Sequence, residues 1–241
     1  MPRRARIMLP GVAVHVVQRG NNRAACFVSD EDRKFYLFHL ARILPRAGCL
    51  LHAYCLMTNH VHLLLTTAES TGCGRLIKGV GELYARYFNR SYKKSGHVWE
   101  GRFKSCLVES EEYVLACYRY IELNPVRACI ASDPARFGWS SYRSNALGES
   151  SAMLTAHEQY LNLGRDAAER QAVYRDLFGE MQSAERLEEI RNATNGGYVL
   201  GSAAFKRAIE HASGRRVDKG KAGRRPAQSA SNEQGDLLAG K

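Results

Sequence analysis

Residues 50–57, LLHAYCLM, and 60–66, HVHLLLT, are two apolar runs separated only by Thr58-Asn59. Runs of this length, joined by two turn-forming residues, predict an antiparallel β-hairpin. The hairpin fixes what each side chain faces, because strand residues alternate between the two faces of a sheet. Val61, Leu63 and Leu65 share one face, and His60, His62, Leu64 and Thr66 share the other. Two imidazoles one pleat apart on an otherwise apolar strand either serve a site or decorate a sheet. The pair alone leaves both readings open, since two ligands are too few for a metal.

The rest of the first half arranges itself around that hairpin. Residues 12–19, VAVHVVQR, alternate as a half-buried strand, and RGNNR at 19–23 follows as a turn. Ser29-Asp30 opens a helix whose loose stripe is Phe35, Phe38, Leu40 and Ile43. A long helix over roughly 72–92 carries Leu76, Val80, Leu83, Tyr84, Tyr87 and Phe88 on its buried side. Residues 98–108, VWEGRFKSCLV, read as a fourth strand, and the helix EEYVLACYRYIEL ends at Asn124-Pro125. The order strand-helix-strand-strand-helix-strand predicts an α+β fold, the ferredoxin-like split βαβ antiparallel sheet, with an added tyrosine-bearing helix. Two helices should cover one face and leave the histidine face open.

The texture changes after about residue 145. Residues 146–213 suggest a helical C-terminal extension, with Asn195-Gly196-Gly197 as a break before a last helix near 202–213. Residues 214–241 are polar, Gly-rich and basic, and should be disordered alone. Residues 1–145 are expected to hold the site. No apolar run is long enough to span a membrane, and the basic N-terminus reads as a first strand. The seven cysteines are scattered, odd in number and never paired as C-x-x-C, which excludes a zinc ribbon or a disulfide framework and fits a reducing cytosol. A net charge of +11 favours an acidic polymer as partner, most simply nucleic acid.

Several residues have chemistry to offer. Tyr120 and Asn124 are i and i+4, on one helix face: a phenol to act as nucleophile and a carbonyl oxygen to act as ligand. A phenol of ordinary pKa is a poor nucleophile near neutrality, and a divalent cation that polarises the target phosphate would help it. Packing is the plainer role for a tyrosine near a helix end. Tyr113 and Tyr118 compete, but Tyr118 lies on the core side with Val114 and Ile121. For a DNA surface the candidates are Arg19, Asn21, Asn22 and Arg23 in the turn, Arg75, Lys78 and Arg86 along the long helix, and Trp99, Arg102 and Lys104 in the fourth strand. Arg102 and Lys104 should share a face, and Trp99 could stack an unpaired base. A solvated helix face, a core tryptophan and a simple turn are the competing readings.

Taken together, MTNHVHLLL, VWEGRFKS and YRYIELNPVRA resemble segments of the bacterial REP-associated tyrosine transposases, in the single-tyrosine branch of the HUH (His-hydrophobic-His) superfamily. His60-Val61-His62 matches the motif in full, and the resemblance covers roughly residues 5–145. It implies a bacterial cytoplasmic nuclease that acts on single-stranded DNA at the foot of REP-like hairpins. By the family's mechanism, His60, His62 and an amide side chain hold a divalent metal, and a tyrosine attacks, leaving a 5′-phosphotyrosyl link. Position by position, Tyr120 becomes the nucleophile and Asn124 the third ligand. Better-known relatives often have glutamine there, one methylene longer. Two nitrogens and an oxygen suit Mn²⁺ on ligand softness, while the family is usually taken to use Mg²⁺. No nucleotide cofactor is implied, since a phosphotyrosyl link retains the phosphodiester energy. The REP-associated group is thought to act as monomers, in contrast to dimeric insertion-sequence relatives. The rivals are a DNA-binding relative without activity, a metal-dependent phosphodiesterase that uses water, and a zinc-binding interaction module.

Overall fold

The computed structural model describes residues 5–180 and 182–218. The first half runs β1 (Ala13–Arg19), α1 (Asp30–Ile43), β2 (Cys49–Met57), β3 (His60–Thr67), α2 (Gly72–Ser91) and β4 (Lys104–Val108). The sheet order is β2-β3-β1-β4, extended by a fifth strand beside β4, and these first four strands are all antiparallel. This is the split βαβ arrangement that the order of elements predicted. Thr58-Asn59 makes the two-residue reversal, with Met57 paired to His60.

The α1 and α2 helices lie on one face, packed by Val61, Leu63 and Leu65 from β3 and Val14 and Val16 from β1. Ser29 caps α1 in a reciprocal capping box with Asp32. Asp32 is itself buried, and its carboxylate also accepts the hydroxyls of Tyr87 (3.1 Å) and Tyr92 (2.8 Å), tying α1 to α2. The buried stripe of α1 is therefore Asp32, Tyr36 and Leu40, a strict spacing of four. Phe38, expected in that stripe, is 57% exposed because it points off the opposite side.

The opposite sheet face is not open. It is roofed by α3 (Glu112–Glu122), α4 (Asn124–Arg127) and α5 (Tyr142–Leu147), and then by the extension: α6 (Glu158–Leu161), α7 (Ala167–Gly179) and α8 (Ala184–Gly196). The reason is legible in the residues. Ala13, Ala53, Cys55, Leu64, Cys106 and Val108 make that face apolar too, and Val114, Cys117, Tyr118 and Ile121 of α3 supply a matching stripe. Glu122 is wholly buried under this roof. It accepts Ser141 Oγ (2.5 Å), Asn145 Nδ2 (2.8 Å) and the Tyr174 hydroxyl (2.7 Å), so one carboxylate ties α3 to α5 and α7. Burial pushes its pKa up to about 7.

The extension also completes the sheet. β5 (Val199–Leu200) pairs parallel to β4, and α9 (Ala203–Ser213) follows it. The α5 helix runs across residue 145, and packing continues past residue 214: Val217 is fully buried and accepts a hydrogen bond from Val199 N (3.1 Å). The remaining basic tail residues, Lys219, Lys221, Arg224 and Arg225, lie outside the described residues. All seven cysteines are free. Among the described residues, no helix is long and apolar enough to cross a membrane.

One strand is shorter than expected. β4 starts only at Lys104, because Gly101 turns the chain in a left-handed conformation (φ +60°) and Trp99 makes a single bridge to Gly20. Arg102 therefore sits in a bend rather than alternating with Lys104 in a strand.

Candidate active site

The strand register sets the site. His62 lies opposite Val17 and Cys55, and His60 lies opposite Arg19 and Met57, so Ala13, His15, Val17 and Arg19 share the histidine face. His60 is half-buried and His62 buried, their ring centroids 4.9 Å apart. Both are held neutral. Burial, with Arg19 adding to it, lowers His60 to about 4. Burial and the neighbouring His60, His15, Arg127 and Arg19 take His62 well below the usual imidazole range.

The hydrogen bonds also show which nitrogen His60 offers. His60 Nδ1 lies 2.6 Å from Asn59 Oδ1, and the Asn59 amide is oriented by its Nδ2 donating to Arg23 O at 3.1 Å. An amide oxygen only accepts, so His60 carries its proton on Nδ1 and bares the Nε2 lone pair. His62 Nδ1 lies 2.9 Å from the Nε2 of a third histidine, His15.

The Tyr120 ring stands edge-on to both buried imidazoles, with centroids 5.8 Å from His62 and 5.7 Å from His15. Two cations flank it. The Arg127 guanidinium lies over the ring, 4.5 Å from its centroid, and Arg191 of α8 stands near enough to the hydroxyl to interact with it electrostatically. Burial draws the Arg191 guanidinium down, but the Tyr120 hydroxyl and the Glu188 carboxylate outweigh it and leave its pKa raised. Arg127 donates to the Tyr120 carbonyl through Nη2, while its buried Nη1 has no hydrogen-bond partner among the described residues. Tyr118 is fully buried, as the core reading had it, and Tyr113 packs under Arg186.

Asn124 begins α4, just after α3 ends. Pro125 follows it and has no amide hydrogen, so the helix cannot simply continue. The Asn124 side chain caps the break, its Nδ2 donating to Tyr120 O at 3.3 Å, which ties it to the tyrosine. No group of three His, Cys, Asp or Glu is placed to hold a metal among the described residues. A cation at His60 and His62 would need another class of donor, and by its chemistry the amide oxygen of Asn124 belongs to that class. Two neutral imidazoles and an amide oxygen fit a divalent transition metal or Mg²⁺ completed by water.

The proposed DNA residues fall into separate places. Arg19 borders the histidines. Asn21, Asn22 and Arg23 form an exposed turn beside the hairpin, Asn22 and Arg23 with left-handed φ of 50° and 58°. Trp99, Lys78 and Arg102, with Gln18, Phe103 and His97, line a cleft of about 580 Å³ beside α2, on the sheet face away from the histidines. Trp99 is partly exposed, donates Nε1–H to Gly81 O (3.1 Å) and packs against Tyr36 and Tyr84. Lys104 and Arg102 meet at a smaller groove of about 220 Å³, where Lys104 Nζ donates to Asn195 Oδ1 (2.9 Å). Arg86 is exposed along α2. Arg75 sits at the first turn of α2, bound to Glu69 (2.7 Å) and Ala47 O, a helix length from the histidine end.

Three site residues escaped sequence reasoning. Arg127 stands inside the YRYIELNPVRA segment and His15 inside the first strand, so spacing could have raised both. Arg191 comes from the extension, and nothing local marks it.

Residues 9–124 match the model of the IS200-like transposase family. In structure the chain is similar to a REP-associated tyrosine transposase bound to a REP hairpin, with 14% identity over 66% of this chain and 93% of that one and a TM-score of 0.50. At that identity the likeness speaks for the fold. A candidate transposase from Deinococcus radiodurans R1 matches more loosely, with 19% identity over 54% of this chain and 92% of that one and a TM-score of 0.36, too low to carry an argument. Comparison with curated proteins found no match. Over residues 9–124 the chain is thus similar in sequence to the IS200-like transposase family, and it is similar in fold to a REP-associated tyrosine transposase.

Proposed function

We propose that the chain cuts and rejoins single-stranded DNA at hairpin-forming repeats through a covalent link to Tyr120, as an HUH-type transposase of the REP-associated kind. The observation that carries the reading is the setting of Tyr120. Its ring lies against His62, Arg191 interacts electrostatically with its hydroxyl, and Arg127 covers its face with an N–H that has no partner among the described residues. Two guanidiniums around a tyrosine suit the phosphate that the tyrosine would come to carry.

The step balances simply. Tyr120 Oη loses its proton to solvent as it bonds to phosphorus, the P–O3′ bond breaks, and the departing 3′-oxygen takes up a proton. Reversal by a 3′-hydroxyl rejoins strands without an external energy source, so no nucleotide cofactor is needed. His60, His62 and Asn124 would hold Mg²⁺ or Mn²⁺, which when bound polarises the scissile phosphate and offsets its charge. Arg191 stabilises the forming phenolate, and Arg127 holds a phosphate oxygen. Arg19 and the turn Asn21–Arg23 meet the strand beside the histidines. The Trp99–Lys78–Arg102 cleft takes DNA further along, by stacking and charge. Tyr120 packs against the His62 of its own chain, which supports action as a monomer. A reducing bacterial cytoplasm suits the free cysteines.

The test uses labelled single-stranded hairpins from repeats flanking the gene, with Mg²⁺ or Mn²⁺, resolved on a denaturing protein gel. A labelled band at protein mass, lost in Tyr120→Phe and His60→Ala, is the expected result. Cleavage without that band would hand the reaction to water, and Tyr120→Phe that cuts like the parent would overturn the assignment. Binding without cleavage would leave a DNA-binding relative.

A further inference from the structure

The histidine that the proposed site needs is itself controlled from the extension. His15 Nδ1 lies 2.9 Å from Thr194 Oγ1 on α8, and His15 Nε2 lies 2.9 Å from His62 Nδ1, all of it buried. Thr194 Oγ1 is also 2.8 Å from the carbonyl of Ile190, one turn back on its own helix, and 3.3 Å from Cys106 Sγ. A carbonyl only accepts, and a hydroxyl has one proton. If that proton went to His15, two lone-pair oxygens would face each other at 2.8 Å with nothing between them. The hydroxyl proton therefore goes to Ile190 O, as threonines in helices commonly do. Thr194 Oγ1 then accepts from His15 Nδ1–H and from the Cys106 thiol, filling both lone pairs.

The rest follows by elimination. With its proton on Nδ1, His15 can only accept at Nε2, so His62 must donate from Nδ1. His62 is left with a bare lone pair on Nε2, the same form that Asn59 imposes on His60. Both nitrogens of His15 are used up, which removes it as a ligand and makes it a relay.

We infer that Thr194 and His15 are positioning residues that fix the His62 tautomer, so that the C-terminal extension is a working part of the site on β3. The consequence for metal binding rests on the reading of His60, His62 and Asn124 as ligands; the tautomer assignment does not. Outer partners of this kind, when removed from metal-ligating histidines, cost about 10- to 100-fold in metal affinity.

The experiment is long-range ¹H–¹⁵N correlation on full-length, metal-free protein with ¹⁵N-labelled histidine, paired with Mn²⁺ titration followed by the free-ion spin-resonance signal. The parent should show His62 protonated on Nδ1 alone. Thr194→Val keeps the volume but removes the acceptor, so the proton on His15 should move to Nε2 and that on His62 to its own Nε2. Mn²⁺ affinity should fall at least about 10-fold, and Thr194→Ser should restore both. Ile190→Val, which loosens α8 without touching the relay, should leave the tautomer alone. A parent with His62 protonated on Nε2, or a tautomer indifferent to Thr194→Val, would overturn the inference. A parent that binds no Mn²⁺ yet switches tautomer with Thr194 would remove the metal reading and support the relay.

Discussion

The two faces of the sheet are built from the same strands and differ in what they bury. Under α1 and α2 lies an aliphatic and aromatic layer around Val61, Leu63, Leu65, Tyr84 and Phe88, with the buried Asp32 carboxylate set between the two helices and away from the strands. Under α3, α5, α7 and α8 the apolar layer is broken by His15, His62, Glu122, Asn145 and Thr194, all buried. Each of these polar groups has hydrogen-bond partners, as burial demands. The first face does the general work of folding, since apolar contact needs no particular partner. The second fixes individual protons and charges, which only specific partners can do.

The largest separation of the two should come from Leu63→Ala. It empties fully buried volume on the helix face, and such truncations cost about 2–5 kcal/mol. Chemical denaturation should register that loss, while the fraction that remains folded keeps the cleavage rate of the parent. If the rate per folded molecule collapses as well, the faces are not independent.

The next test uses pH. His52, at the irregularity between Leu51 and Ala53 in β2, has both ring nitrogens engaged, by Thr155 O (2.7 Å) and Thr66 Oγ1 (2.8 Å). Burial lowers its pKa from 6.5 to about 4, the bond to Thr155 O opposing and His157 assisting. Because the folded pKa is the lower one, the unfolded chain binds more protons between these values. The stabilisation is complete above pH 6.5 and is lost as pH falls toward 4. Between pH 7.5 and 5 the loss from this residue is about 2 kcal/mol. His52→Gln should flatten the acid limb of the stability profile by that order, and an unchanged limb rules His52 out as a source.

Smaller still is Arg191→Met, which keeps the aliphatic stem and removes the guanidinium beside the Tyr120 hydroxyl. Cleavage at saturating DNA should slow about 10-fold, equivalent to about 1.4 kcal/mol in the barrier, with little change in melting temperature. A variant that cuts at the parental rate would leave Arg191 a bystander.

How much of this was legible beforehand follows the same division. The apolar face could be read because alternation in 61–65 and helical spacing in 72–88 are local patterns. His60, His62, Tyr120 and Asn124 stood out through short spacings, although spacing could not tell ligand from ornament. The roof over the histidines was missed because the apolar residues beneath it are mostly small and lie at most a few to a strand, each unremarkable in its own segment. Arg191 and Thr194 were invisible for a stronger reason. They act on residues 71 and 179 positions away, by subtraction from the paired numbers, and only folding brings residues so far apart in sequence together. β5 was hidden because two residues carry no period at all.

The smallest predicted effect bears on whether the helix face is only scaffold. Lys78 lines the cleft with Trp99 and Arg102, opposite the histidines, so DNA reaching both must pass around the sheet. A lysine that touches phosphate contributes affinity through counterion release, whatever the sequence of bases. Lys78→Ala should then weaken hairpin binding a few-fold and reduce the logarithmic salt slope by about 0.7, with the rate at saturating DNA unchanged. His62→Ala should do the reverse, ending cleavage while the salt slope stays. If Lys78→Ala leaves the slope untouched, the cleft holds no phosphate, and the divide between a folding face and a working face is complete.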